Sequence, residues 1–293
     1  MACGTWVWRT RSAGWLATLQ LSLTLAGGAL AADPAADKSR YTLFNRTPDG
    51  ALRDMSTDRP DKTESPYTVD AGRIQIETDL VAYTRDEADG LRSETWDVLP
   101  FNVKIGLTHD SDLQIVYGSF SRVRVEGADG VDDSETGAGD LIIRYKRNIW
   151  GNDGGKTAFG VMPFVKIPTS TFDDANDDVE GGVIMPLAID LGGGMGLGLM
   201  TEVDMLRSES DGGYEPTFIN SATVSFELTS KLGLYTEVYV ERSAEDGANT
   251  VVTLDTGLTY AVTDNLQLDT GINVGVTDAA DGINVFAGLS QRF

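Results

Sequence analysis

The sequence predicts an all-β fold: a transmembrane, antiparallel, up-and-down barrel of about twelve strands. Three observations carry that expectation. Twelve stretches alternate apolar and polar residues with period two, most of them about 12–14 residues long, whereas an ordinary soluble strand has about 5–6. The connections between them alternate short and long. The chain ends on an aromatic, Phe293, which stands on the apolar parity of its last stretch.

Composition narrows the function classes. The 293 residues carry 23 Lys+Arg against 45 Asp+Glu, a net charge of −22, with one Cys and one His. Nucleic-acid binding through a basic groove is excluded, because phosphate neutralisation needs an excess of cations. A lone Cys3 permits no intrachain disulfide framework. A lone His109 permits no mechanism that needs two histidines, and neither a cofactor nor a metal is expected.

The first element is a leader. Arg9 and Arg11 precede the largely apolar run 13–30, and Ala29-Leu30-Ala31 supplies small residues for cleavage, so residues 1–31 read as a secretory signal peptide. No later stretch has the ~20 continuous apolar residues of a membrane helix, which fits an exported soluble protein or a membrane barrel.

Residues 32–72 do not alternate. Their two-proline string, from Ser56-Thr57-Asp58-Arg59-Pro60 to Thr63-Glu64-Ser65-Pro66-Tyr67-Thr68-Val69, is a loop rich in Asp, Thr and Ser. It reads as a plug tucked into a lumen, with Arg59 and Glu64 pairing to wall charges, or as a tether at the periplasmic rim. Proline stiffening and charge favour the plug or a rim cap.

The barrel proper occupies 73–293. Strands are expected at 73–86, 94–108, 112–125, 139–150, 156–168, 181–192, 195–208, 216–229, 231–243, 250–263, 264–277 and 281–293. A tilted bilayer-spanning strand needs about 9–11 residues, so these lengths suit a membrane. Tight joints at 110–111, 151–155, 193–194, 230–231 and 263–264 alternate with the wider 87–93, 126–138, 169–180, 209–215 and 244–249. Short periplasmic turns and long external loops follow this parity. Only the last connection, 278–280, fits weakly. Phe101, Tyr117, Tyr145, Phe218 and Tyr260 fall on the apolar parity, where interfacial aromatics sit; Arg147 and Arg207 break that parity near strand ends.

The polar parity should face a lumen, and its charges are sorted. A basic arc comprises Lys104, Arg122, Arg124, Arg144, Lys146 and Lys166, with Asp140 as the exception. An acidic arc comprises Asp190, Glu202, Asp204, Glu227, Glu237, Glu241, Asp255 and Asp269. Facing arcs would either select solutes through a transverse field or pair across a closed lumen.

The string Thr57-Asp58-Arg59-Pro60 … Thr63-Glu64-Ser65-Pro66-Tyr67-Thr68-Val69, followed by Gly72-Arg73-Ile74-Gln75-Ile76-Glu77 and eleven more strands, resembles the outer-membrane family named for the MetA pathway of phenol degradation. Asp58, Arg59, Pro60, Thr63, Glu64 and Pro66 are the motif positions; Lys62 stands where an aromatic is expected. The resemblance implies a barrel that moves small solutes, aromatic or apolar compounds included.

The remaining features have plain readings. The acidic loop with Asp174, Asn176, Asp178 and Glu180 lacks the Gly and the distant Glu of an EF-hand, and reads as a solvated loop bridged to lipopolysaccharide phosphates by divalent ions. His109, in Thr108-His109-Asp110-Ser111-Asp112, falls in a periplasmic turn, which argues against catalysis. The expected partners are outer-membrane lipid, lipopolysaccharide, small solutes, and a barrel-assembly machinery reading Phe293. The alternative function is a non-conducting structural or surface-interaction barrel.

Overall fold

The computed structural model describes residues 37–293 apart from 89, 128–131, 174, 209–211 and 246. The expected leader and its cleavage point lie outside the described residues. In chain order the strands are β1 (Ile74–Ala88), β2 (Leu91–Val98), β3 (Phe101–Thr108), β4 (Ser111–Tyr117), β5 (Phe120–Glu126), β6 (Asp132–Gly137), β7 (Leu141–Trp150) and β8 (Thr157–Ile167). They continue as β9 (Glu180–Gly192), β10 (Met195–Arg207), β11 (Tyr214–Glu227), β12 (Leu232–Ser243), β13 (Thr250–Thr263), β14 (Leu266–Gly275) and β15 (Ile283–Arg292). All pairings are antiparallel, and β1 pairs β15, from Gln75↔Arg292 to Arg85↔Ile283. The sheet therefore closes and has no free edge at the seam.

The closed barrel has twelve staves, three of them interrupted: β2 with β3, β4 with β5, and β6 with β7. The expected continuous strands 94–108 and 112–125 are thus each broken, and part of the expected loop 126–138 is strand. The causes are local. Pro100 lacks the N–H that a central strand donates, and Leu99 takes a positive φ of 54°. Thr78 Oγ1 donates to Pro100 O at 2.8 Å and Ser119 Oγ donates to Val98 O at 2.9 Å, patching the gap. In β1 the register slips between Asp79 and Val81, leaving one extra residue.

One extra residue exchanges the two faces of a strand. Below the break, Gln75, Glu77 and Lys104 point inward. Above it, Ala82 pairs Asp97, and both line a cavity inside the wall. The same exchange occurs in each of the three interrupted staves. Consequently Arg85, Glu94, Trp96, Arg122 and Arg124 face outward, in register as Arg85↔Glu94, Glu94↔Arg124 and Trp96↔Arg122.

The rest of the wall follows the expected parity. Leu254, Leu258, Tyr260, Leu268 and Val285 are exposed on the outer face, as lipid contact requires. Inside, Met162, Ile184, Met200 and Ile219 form an apolar cluster on β8–β11, flanked by Phe164 and Tyr239. Gly106 lets the N-terminal segment cross the wall closely, since a Cβ there would collide with Asp70 O.

Candidate functional site

The segment from residue 52 to residue 72 rises into the lumen from the periplasmic rim and returns to the same rim before β1. The descending limb is bound by wall side chains: Asn148 Nδ2 donates to Pro66 O at 2.9 Å, Thr68 N donates to Asn152 Oδ1 at 3.1 Å, and Val69 N donates to Asp112 Oδ2 at 3.0 Å. At the rim, Arg53 spans Asp153 (2.8 Å) and Asp70 (3.7 Å), and Arg292 donates to Arg53 O at 2.8 Å.

Between the limbs, the plug presents two charges to each side of the wall. Asp58 lies 2.6 Å from Lys146 Nζ and pairs also with Lys104, while Glu64 lies 2.6 Å from Arg144. On the other side Arg59 meets Asp269 at 2.6 Å and Asp79 at 2.7 Å, and Lys62 Nζ lies 3.4 Å from Asp255. Glu237 accepts from Lys62 N at 2.9 Å, Thr63 N at 2.8 Å and Thr63 Oγ1 at 2.5 Å. Buried charges persist only when paired and hydrogen-bonded in this manner.

The plug's buried carboxyls are shifted in opposite directions, because burial raises them all and only some have cations close enough to outweigh it. For Asp58 burial alone would raise the pKa, but the Lys104 and Lys146 ammonium groups outweigh it and hold the carboxyl well below the usual range. Asp61 has no such partner: burial first, then the Glu237 carboxylate, push it up to about 8, and Thr223 supplies a hydrogen bond. Burial and the Asp58 charge raise Glu64 despite Arg144.

The placement of the sequence-derived site residues is therefore mixed. Lys104, Arg144 and Lys146 meet the plug; Lys166 reaches Asp140 (3.6 Å) and Glu180 instead. Arg122 and Arg124 correct the expected basic arc: they lie on the outer wall, because the break between β4 and β5 exchanges the faces. In the acidic arc Glu237, Asp255 and Asp269 hold the plug. Glu202 and Asp204 stand together on the lumen side as neighbouring carboxyls, and Glu241 accepts from Tyr239. Asp190 and Glu227 line a periplasmic cavity. Pro60 stands at the plug's turn with Arg59. Phe293 is exposed, its N–H donating to Ile74 O at 2.8 Å.

Reasoning from sequence put Glu77, which receives Lys104 at 2.5 Å, and Asp79 on the polar parity but left them out of the two arcs, and it missed Tyr235 and Phe286. Glu77 and Asp79 stand on the polar parity beside the chosen residues, so the signal was present. Tyr235 and Phe286 are inward aromatics among polar neighbours, and nothing in the alternation distinguishes them. Elsewhere, Asp174 lies outside the described residues, while Asp178 pairs with Arg207 at 3.0 Å. His109 sits at the rim, 3.5 Å from Asp110, and the buried Ser111 hydroxyl lies 2.6 Å from Thr108 Oγ1.

Two cavities flank the plug. The inner one, about 1370 Å³, opens among the periplasmic turns and is lined by Arg53, Tyr67, Asp190, Glu227 and Tyr235. The outer one, about 330 Å³, lies toward the external side between Asp79, Ala82, Asp97, Asn273 and Phe286.

Comparison with known proteins gives three findings. A family model described as "Putative MetA-pathway of phenol degradation" matches residues 57–293. The COG4313 outer membrane channel from Pseudomonas putida F1 is similar in structure at 12% identity, covering 81% of this chain and 100% of that one, with a TM-score of 0.56. The NanC porin aligns at 9% identity over 74% of this chain and 98% of its own, with a TM-score of 0.46. No curated protein matches.

Proposed function

We propose a function that starts from kinship: the chain belongs to the MetA-pathway family of phenol degradation. It acts as an outer-membrane channel for the passive passage of small solutes, aromatic or apolar compounds among them. The single observation that carries this reading is a closed barrel whose lumen contains two cavities separated by a plug held through ion pairs. Similarity to a structure described as an outer membrane channel supports it.

Wall and plug charges hold the resting state shut, and the same ion pairs exchange for water or solute when the plug shifts. Lumenal carboxylates outnumber lumenal cations, so cations and neutral solutes are favoured over anions. Planar-bilayer conductance of the purified protein tests the reading. Current in the intact chain or after deletion of 37–70 supports it, and silence of both, in barrels whose gel migration still depends on heating, overturns it.

A second reading, a non-conducting barrel that presents its acidic loops, draws support from the density of buried ion pairs around the plug. Liposome swelling separates the two, since uptake of any solute rules out the second. Catalysis has no part in either; an esterase assay of wild type against His109→Ala checks this. Within both readings Phe293 serves recognition by the assembly machinery, and the external carboxylates meet lipopolysaccharide through divalent ions.

A further inference from the structure

The two cavities adjoin at the plug's turn. The inner and outer cavities share Arg59 and Pro60, and no other lining residue. The Arg59 side chain is seated there as a fork: Nη2 lies 2.6 Å from Asp269 Oδ1, Nε lies 3.4 Å from Asp269 Oδ2, and Nη2 also lies 2.7 Å from Asp79 Oδ1. Its Cζ stands 5.4 Å from the centre of the Phe286 ring.

The wall behind this seat is bare backbone. Gly257 pairs Gly271, Gly271 pairs Phe286, and Asp269 pairs Gly288. A Cβ at 288 would collide with the guanidinium. A Cβ at 271 would lie 2.5 Å from Phe286 Cζ and 2.7 Å from the Tyr235 hydroxyl. Tyr235 is 4% exposed, and that buried hydroxyl has no hydrogen-bond partner among the described residues. A simple ion pair needs only opposite charges. A flat glycine floor, an aromatic ring and a carboxylate in fork geometry together suit a planar, delocalised cation and give no advantage to an ammonium.

We propose that this seat is a recognition site for guanidinium-bearing solutes, filled in the resting channel by the plug's own Arg59, which thereby gates the passage between the two cavities. The proposal rests on the plugged-channel reading. A solute entering the outer cavity meets Asp97 and Asp79 and competes with Arg59 for Asp79 and Asp269. Displacement proceeds only so far as the solute binds the vacated seat better than the occupied one. Once Arg59 leaves, the Pro60 turn no longer separates the cavities.

The test is planar-bilayer recording of the full chain, the Arg59→Ala variant and the 37–70 deletion, each first shown to migrate heat-dependently. Arg59→Ala should raise mean conductance several-fold. Ethylguanidinium should then lower that current toward the wild-type level at about tenfold lower concentration than ethylammonium. Phe286→Leu in the Arg59→Ala background should erase most of that preference. Unchanged current in Arg59→Ala alongside a conducting deletion would remove the gate while leaving the channel reading standing. Equal block by the two cations would remove the guanidinium site. Silence of all three proteins would remove both.

Discussion

Asp58 shows how much one side chain in this lumen can control. Its carboxylate bridges two lysines that are almost wholly buried, with Glu77 as a further partner for Lys104 alone. Asp58→Asn leaves Lys146 without its anion, and breaking a buried pair in this way costs about 3–5 kcal/mol. The plug seat should weaken accordingly, seen as faster proteinase K cleavage within 52–72 while the barrel stays intact. Asp61 gives the opposite signature. It is faced by Glu237 and Tyr235 from β12, Thr223 from β11 and Asp58 within the plug. Its seated pKa of about 8 lies above the ordinary 3.8, so seating favours the protonated form. That contribution is complete below the ordinary value and is lost as pH rises through about 8. Channel current should therefore climb as pH crosses that value, and Asp61→Asn should flatten the rise.

At the scale of elements, the row of breaks across β1–β7 decides which charges the lumen receives. Arg122→Gln with Arg124→Gln should leave the reversal potential in a salt gradient unchanged, since both side chains lie outside the wall. Glu202→Gln with Asp204→Asn, both on the lumen side, should move it toward anion permeability. The contrast also marks what the sequence could reveal. Alternation placed the faces correctly wherever a strand runs unbroken, as in β11 or β12, because parity is then a local property. It failed for Arg122 and Arg124 because one inserted residue reverses every position beyond it. Pro100 was a legible warning, since a proline inside a run demotes a central strand. The slip between Asp79 and Val81 leaves no such mark. Pairings such as Arg59 with Asp269, 210 residues apart, had no local signal at all; charge type alone suggested that Arg59 and Glu64 would seek wall partners, and not which.

For the molecule as a whole, deleting 37–70 should raise conductance sharply without abolishing heat-dependent migration, because β1–β15 closure uses none of the deleted residues. Unchanged current would mean that the segment does not obstruct the lumen. The manner in which the segment sits has a mechanical corollary. Both of its limbs pass the periplasmic rim, where Lys38 meets Asp153 at 3.1 Å and Arg53 meets the same carboxylate at 2.8 Å. Traction applied to the chain before Lys38 loads the plug's fasteners in succession, the rim pairs first, then Asp58 and Arg59, and Lys62 and Glu64 after them. Such a tongue peels out under modest force, stitch by stitch, whereas a globular stopper would have to rupture all at once.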